Sequence, residues 1–153
     1  MPTHAEKRHL PHSPKQMFDL VSNVAEYPEF LPWCVSTRIK SHENDEIVAD
    51  MVIGFKMFRE KFTSRVKLSS PDRIDVVYED GPFKYLNNHW IFITEDDGSC
   101  AVDFYVDFEF HSKLLQKLIG VVFNEAVKIM VHAFEKRADA VYGTVISGDD
   151  LSR

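Results

Sequence analysis

Val102-Asp103-Phe104-Tyr105-Val106-Asp107-Phe108-Glu109-Phe110 alternates apolar and polar residues without a break. Side chains on a strand point to opposite faces in turn, so this segment reads as a strand with one apolar and one wet face. Directly after it the period changes. Leu115, Ile119, Val122, Ala126, Ile129 and Ala133 recur at spacings of three and four. Phe123, Val127, Met130 and Phe134 widen that stripe, while Lys113, Lys117, Asn124, Lys128, Glu135 and Asp139 mark a wet face. The pattern predicts a long amphipathic helix, capped by Ser112 and stopped by Gly143 after Tyr142. Gly120 inside it costs about 1 kcal/mol against alanine and either kinks the helix or admits a close neighbour. A half-apolar strand followed by a half-apolar helix calls for a sheet that the helix can cover.

Working back toward the N-terminus, four more segments alternate with period two. Their apolar positions are Ile47, Ala49, Met51, Ile53 and Phe55; Phe62, Val66 and Leu68, with Ser64 between; Ile74, Val76 and Tyr78; and Leu86, Trp90 and Phe92, with Asn88 between. Another strand starts near Trp33. The breaks between segments are short, and Asp97-Gly98 is a strong hairpin signal, so neighbours in the chain pair antiparallel. Residues 3–10 are a weaker candidate for a seventh strand. Ser13-Pro14-Lys15-Gln16 forms a capping-box helix start, and a second turn over Val24–Tyr27 ends at Pro28 and Pro32. The expected order is β-α-α-β-β-β-β-β-β-α, an α+β helix-grip architecture. A single domain over residues 1–145 and a polar tail over 146–153 are expected.

Composition narrows the function classes. The 153 residues carry 24 Asp+Glu against 18 Lys+Arg, a net charge of −6. That balance argues against a surface coated with cations for DNA or ribosomal RNA. No apolar run reaches the ~18 residues of a membrane span. Cys34 and Cys100 form no CxxC pair, and Pro11 between His9 and His12 spoils helical metal spacing, so no metal site is expected. No GxSxG, Walker, GxGxxG or HExxH motif occurs, and no catalytic residue is assigned. Asp103, Asp107 and Glu109 read as a solvated stripe. Lys61, Arg65 and Lys67 are expected to pair with Asp50, Asp75 and Glu79 on adjacent strands.

Every second turn of a meander meets at one end. One end collects Glu43–Glu46, Ser70–Asp72 and Asp96–Ser99, all polar. The other collects Tyr27, Phe30, Leu31, Trp33, Phe55, Met57, Phe58 and Phe83, with Lys56, Arg59, Lys61, Lys84 and Lys113 nearby. An apolar mouth with a cationic rim suits an anionic bilayer, where each cation contributes about 1 kcal/mol. Tyr27, Phe30, Leu31, Lys56, Phe58, Arg59 and Lys84 are therefore membrane-docking candidates. The same aromatics also fit a plug that closes the core. Inside, large residues on the sheet face small ones, Ala126 and Ala133, on the helix. That leaves room for a dry cavity, although a filled core has the same periodicity. Asn88 and Ser64 are the candidate polar anchors, needing a partner from a neighbour or a ligand.

Four segments then carry a resemblance that spans Thr3 to Gly143: Tyr27-Pro28-Glu29-Phe30-Leu31-Pro32-Trp33-Cys34; Gly81-Pro82-Phe83-Lys84 with Leu86 and Trp90; Val106-Asp107-Phe108-Glu109-Phe110 with Ser112 and Leu114-Leu115; and Ala133-Phe134-Arg137-Ala138 with Tyr142-Gly143. In this order they resemble the coenzyme Q-binding START-domain family of the polyketide-cyclase-like, helix-grip superfamily. The resemblance implies a curved seven-stranded sheet gripping the C-terminal helix around a hydrophobic tunnel. It implies non-catalytic binding of ubiquinone or a similar isoprenoid lipid in support of respiratory electron transport. The path would be lined by Trp33, Met51, Ile53, Phe55, Phe62, Phe83, Leu86, Asn88, Trp90, Phe104 and Phe108 from sheet and loops, and by Val122, Ala126 and Met130 from the helix. The chain begins on the domain without an Arg-rich leader, so a bacterial cytoplasmic protein touching the inner membrane is expected. The same family includes ribosome-association toxins, which makes the ribosome the rival partner. A polyketide cyclase-like enzyme is the third reading, and it would need polar catalytic groups inside the tunnel.

Overall fold

Ser13 accepts the Gln16 backbone N–H at 3.1 Å, and the Gln16 side chain accepts the Ser13 N–H at 3.0 Å. This closed box starts α1 (Pro14–Ser22) where the sequence placed it. The protein is represented by a computed structural model that describes the backbone of residues 3–55 and 58–143 and the side chains of 4–54 and 59–143. The expected tail over 146–153 lies outside the described residues.

Each alternating segment pairs antiparallel with its chain neighbour. The strands are β1 (Thr3–Leu10), β2 (Cys34–Glu43), β3 (Glu46–Phe55), β4 (Phe58–Ser69), β5 (Arg73–Asp80), β6 (Phe83–Thr94) and β7 (Cys100–Phe110). They form a seven-stranded sheet in the order β1-β7-β6-β5-β4-β3-β2. β1 and β2 are thus neighbours in sequence but lie at opposite edges. α1, a 3-10 turn (Val24–Glu26) and α2 (Tyr27–Phe30) carry the chain between them. The last helix, α3 (Lys113–Tyr142), packs on the apolar face, capped by the Ser112 hydroxyl, which accepts the Leu115 N–H at 3.1 Å.

Several expectations shift in detail. Pro28 does not end the second turn: it sits in the first turn of α2, where its missing N–H has no helical partner to lose. β1 alternates weakly because its inward face is charged. Glu6 pairs with Arg8 at 2.8 Å, and Arg8 reaches Glu135 on α3 at 3.4 Å. Inward charges on an edge strand discourage pairing with another chain. Gly120 admits no close neighbour. The helix continues through it, and a side chain there would meet nothing within 4 Å. The buried stripe of α3 runs through Leu115, Phe123, Val127, Phe134 and Ala138, while Ile129 is 49% exposed. The helix is therefore turned about one residue, roughly 100°, from the stripe centred on Val122 and Ala126. The larger rings, Phe123 and Phe134, take the sheet-facing positions.

On the outer face, Arg65 pairs with Glu46 at 2.8 Å and with Glu79 at 3.2 Å. Lys61 acts on Asp50 only at a longer range than an ion pair, and Asp75 finds a different partner. Asp50 accepts the Thr63 hydroxyl at 2.5 Å, and Asp75 is held by Arg73 at 2.8 Å. No ion pair engages Lys61 or Lys67 among the described residues.

Candidate functional site, an apolar cavity under the long helix

α3 does not lie flat on the sheet. Phe123 meets Phe108 with ring centroids 5.3 Å apart, and Phe134 meets Trp90 at 5.0 Å. These two posts stand three helical turns apart, roughly 16 Å at ~1.5 Å per residue. Between them the helix offers Ala126, Val127 and Met130, which leave part of the concavity unfilled. The result is a cavity of about 290 Å³ between sheet and helix. An apolar void of ~150 Å³ already stays dry and takes up benzene, so this one is large enough for an organic ligand.

Most of the expected lining residues meet here. Trp33, Met51, Ile53, Phe62, Phe83, Leu86, Asn88, Trp90, Phe104, Phe108, Ala126 and Met130 all line the cavity. Val122 does not, because of the helix rotation described above. The Phe55 side chain lies outside the described residues. Sequence reasoning missed Ile119, Phe123, Val127 and Phe134 as wall residues, although their three- and four-residue spacing with Met130 was visible. It also missed Glu60, which lines the cavity beside Phe62. Continuing the β4 alternation two residues back from Phe62 would have found it.

Hydrogen bonds across the turns confirm which loops share an end. Leu68 donates to the Asp45 carbonyl and Phe92 to that of Asp72, each at 2.8 Å, at the polar end. Gly54 donates to the Trp33 carbonyl and His111 to that of Pro82, each at 2.8 Å, at the other. Trp33 adopts φ 68°, which a bulky residue rarely does, and its side chain is on the cavity wall.

The mouth is more closed than a docking surface would be. Leu31 is buried and, with Tyr27, lines the cavity. Phe30 packs edge-on against Tyr27 at 6.0 Å and Phe134 at 5.3 Å, under the Arg137 guanidinium at 5.2 Å. Arg137 also binds Glu26 at 3.3 Å and Glu29 at 3.6 Å, tying α2 to α3. Tyr27, Phe30 and Leu31 are thus turned into the protein, because α2 folds its apolar side onto α3. Lys84 is held by Glu109 at 2.9 Å, while Arg59 is exposed. Phe58 begins β4; its side chain and Lys56 lie outside the described residues.

Polar groups at the cavity are few. Asn88 donates to the Tyr105 carbonyl at 2.8 Å. Tyr27 donates its hydroxyl to the Val21 carbonyl. Burial, with Cys34 nearby, pushes the Tyr27 phenol well above its usual range, so it stays protonated. Burial alone pushes the Cys34 thiol up to about 11 and is the main cause of the same rise at Cys100. Only the thiolate is nucleophilic. Both cysteines should therefore resist alkylation at pH 7.5 and react within minutes once urea exposes them; time-resolved mass spectrometry of the adducts checks this.

Comparison with known proteins follows the same lines. The family model described as polyketide cyclase / dehydrase and lipid transport matches residues 10–135. The ribosome association toxin RatA of Rickettsia prowazekii is 43% identical over 136 residues, covering 86% of this chain and 92% of that protein. The mitochondrial coenzyme Q-binding protein COQ10 homolog B of Xenopus laevis is 35% identical over 144 residues, covering 92% of this chain and 59% of that one. Among solved structures, a START superfamily protein from Mycobacterium smegmatis superposes with TM-score 0.78 at 15% identity, covering 91% of this chain and 98% of its own. The Zhui aromatase/cyclase from Streptomyces sp. R1128 superposes with TM-score 0.79 at 13% identity, covering 90% and 93%. At such identities the two structures speak for the fold alone.

Proposed function

The chain belongs to the polyketide cyclase / dehydrase and lipid transport family, and from that premise we propose that it binds and carries a hydrophobic small molecule without transforming it. The observation that carries this reading is the apolar cavity of about 290 Å³ held open by the Phe108–Phe123 and Trp90–Phe134 posts. The finer form of the proposal is a prenylated quinone such as ubiquinone, in support of respiratory electron transport. The coenzyme Q-binding relative supports that choice, and so does the almost wholly apolar lining of the cavity. A carrier is favoured over a cyclase because no described His or Lys shares the cavity lining with Glu60 to complete an acid–base pair there. No described helix is long and apolar enough to cross a membrane. The protein would meet its lipid at a bilayer surface, with the mouth end and Arg59 toward it. Solvent extraction of purified protein with mass spectrometry is the test. About one prenylquinone per chain supports the proposal. A protein that arrives empty and takes up no added quinone refutes it.

A second reading, association with the ribosome, is favoured by one surface feature besides the relatives' names. Arg38, Lys40 and Lys61 are exposed on the outer face of β2 and β4 and surround Asp50. The Thr63 hydrogen bond first, and these three cations after it, hold the Asp50 carboxyl below its usual range. Three cations around one carboxylate leave a local positive patch on a chain of net charge −6. Phosphate contacts of this kind weaken steeply with salt. If the patch meets ribosomal RNA, the triple variant Arg38→Glu, Lys40→Glu, Lys61→Glu should lose co-sedimentation with ribosomal subunits at low salt. Its extracted ligand should not change. Co-sedimentation that ignores both the substitutions and the salt would remove the patch from this reading.

A further inference from the structure

We propose that the cavity selects amphiphiles by head-group charge: it takes a long apolar molecule with an uncharged hydrogen-bonding head and rejects a carboxylate or phosphate head of equal chain length. This rests on the reading of the cavity as a ligand site and adds to it the chemistry of the head.

Three polar side chains carry the inference. On β3 and β4 the register places Ile53 opposite Glu60, Met51 opposite Phe62 and Ala49 opposite Ser64. Alternation puts Glu60, Phe62 and Ser64 on the inward face and Arg59 and Lys61 on the other. Glu60 lines the cavity, and no Lys, Arg or His shares that lining among the described residues. Nor does any cation pair with Glu60 there. A second anion entering this apolar space would face an uncompensated carboxylate in a weakly screening medium and leave its own water behind. A neutral head meets no such opposition.

The deeper positions supply what a neutral head needs. Ser64 is 6% exposed, lines the cavity, and its hydroxyl has no hydrogen-bond partner among the described residues. Asn88 gives one amide N–H to the Tyr105 carbonyl, which leaves its own carbonyl and a second N–H. Ser64 is opposite Tyr78 on β5 and Asn88 is opposite Val76, so the two line one cavity from the strands on either side of β5, offset by two residues. Ser64 is four residues beyond Glu60, roughly 13 Å at ~3.3 Å per residue. Glu60 therefore acts near the Trp33 end of the cavity, and farther along it Ser64 or Asn88 offers a hydrogen-bond partner to a hydroxyl or carbonyl oxygen.

The test uses three probes of one chain length: cetyl alcohol, palmitate and hexadecane. Binding to the full chain is read by the emission of Trp33 and Trp90, both on the cavity wall. Cetyl alcohol is expected to bind at least about tenfold tighter than palmitate at pH 7.5, the direction expected when a site holds an unpaired like charge. Glu60→Gln should shrink that ratio severalfold by admitting palmitate, the remainder being the desolvation cost of the anionic head. Ser64→Ala combined with Asn88→Leu should erase the advantage of the alcohol over hexadecane, with circular dichroism confirming the fold. Palmitate binding as tightly as the alcohol, or a ratio unmoved by Glu60→Gln, overturns the proposal while hexadecane binding leaves the carrier reading standing. If none of the three probes nor a prenylquinone binds, the carrier reading falls and this proposal with it.

Discussion

An Ala126→Trp chain should fold normally and take up no ligand. Ala126 is on the cavity wall, on the stretch of α3 between the Phe123 and Phe134 posts. An indole there points into open space, so it displaces no packed neighbour. Tryptophan is a poorer helix former than alanine by several tenths of a kcal/mol. Burial of its ring on the cavity wall offsets that loss, since large apolar side chains contribute about 1.5–3 kcal/mol when fully buried. The melting temperature should therefore stay within a few degrees of the parent. Ligand recovered by extraction should fall at least about a hundredfold, the equivalent of some 2.7 kcal/mol of binding. Val122→Trp is the matched control. Val122 is one helical step outside the wall, so this variant should keep its ligand. A folded Ala126→Trp protein that still carries stoichiometric lipid would sink the cavity assignment. Equal losses in both variants would show that the observed helix rotation is wrong.

That pair of variants also marks where sequence reasoning stopped. Inside strands, a period of two leaves only two choices of face, and one charged row decides between them. Val102 to Phe110 and Ile47 to Ile53 were readable for that reason. On α3 the apolar stripe was too wide to fix its own centre. Both Val122–Ala126–Ile129 and Phe123–Val127–Met130 fit a buried face. Only the three-dimensional match of Phe123 to Phe108 and of Phe134 to Trp90 turns the wall toward Phe123, Val127 and Met130, keeping Ala126 on it and leaving Val122 and Ile129 off. The mouth was misjudged for a related reason. Apolar residues at turn tips were visible, but nothing local said that α2 would fold Phe30 onto Phe134 beneath Arg137. Such contacts join residues more than a hundred positions apart, and alternation carries no information at that range. β6 shows a further limit. Its register shifts between Phe83 and Tyr85, so Phe83 and Leu86 share the inward face although they are three residues apart.

The same corner of the sheet should tolerate substitution poorly: Gly81→Ala is expected to cost about 2–6 kcal/mol of stability, the sum of backbone strain and overpacking. Gly81 has φ 146°, and a methyl group built on it would stand 2.5 Å from Phe62 Cβ and 2.9 Å from Phe62 Cα. The second contact is with backbone, which cannot rotate away. Retreat of the turn is blocked on its other side. Phe83, two residues on, stacks on Phe110 at 4.6 Å and stands edge-on to Phe62, Tyr78 and Phe108 at 5.4, 5.4 and 5.5 Å. Its backbone N–H is also fixed, donating to the Tyr78 hydroxyl at 3.0 Å. Moving the turn enough to admit the methyl would therefore unseat a ring cluster that forms part of the cavity wall. At roughly 2–4 °C per kcal/mol for a domain of this size, the melting temperature should drop by about 5–20 °C. Gly98→Ala separates the two contributions. Gly98 also has positive φ, 87°, but nothing lies within 4 Å of a Cβ there, so only strain of about 1 kcal/mol is expected. Thermal melts of the two variants side by side decide the matter. If Gly81→Ala melts no lower than Gly98→Ala, the turn yields more easily than its contact with Phe62 implies, and the ring cluster does not fix this part of the cavity wall.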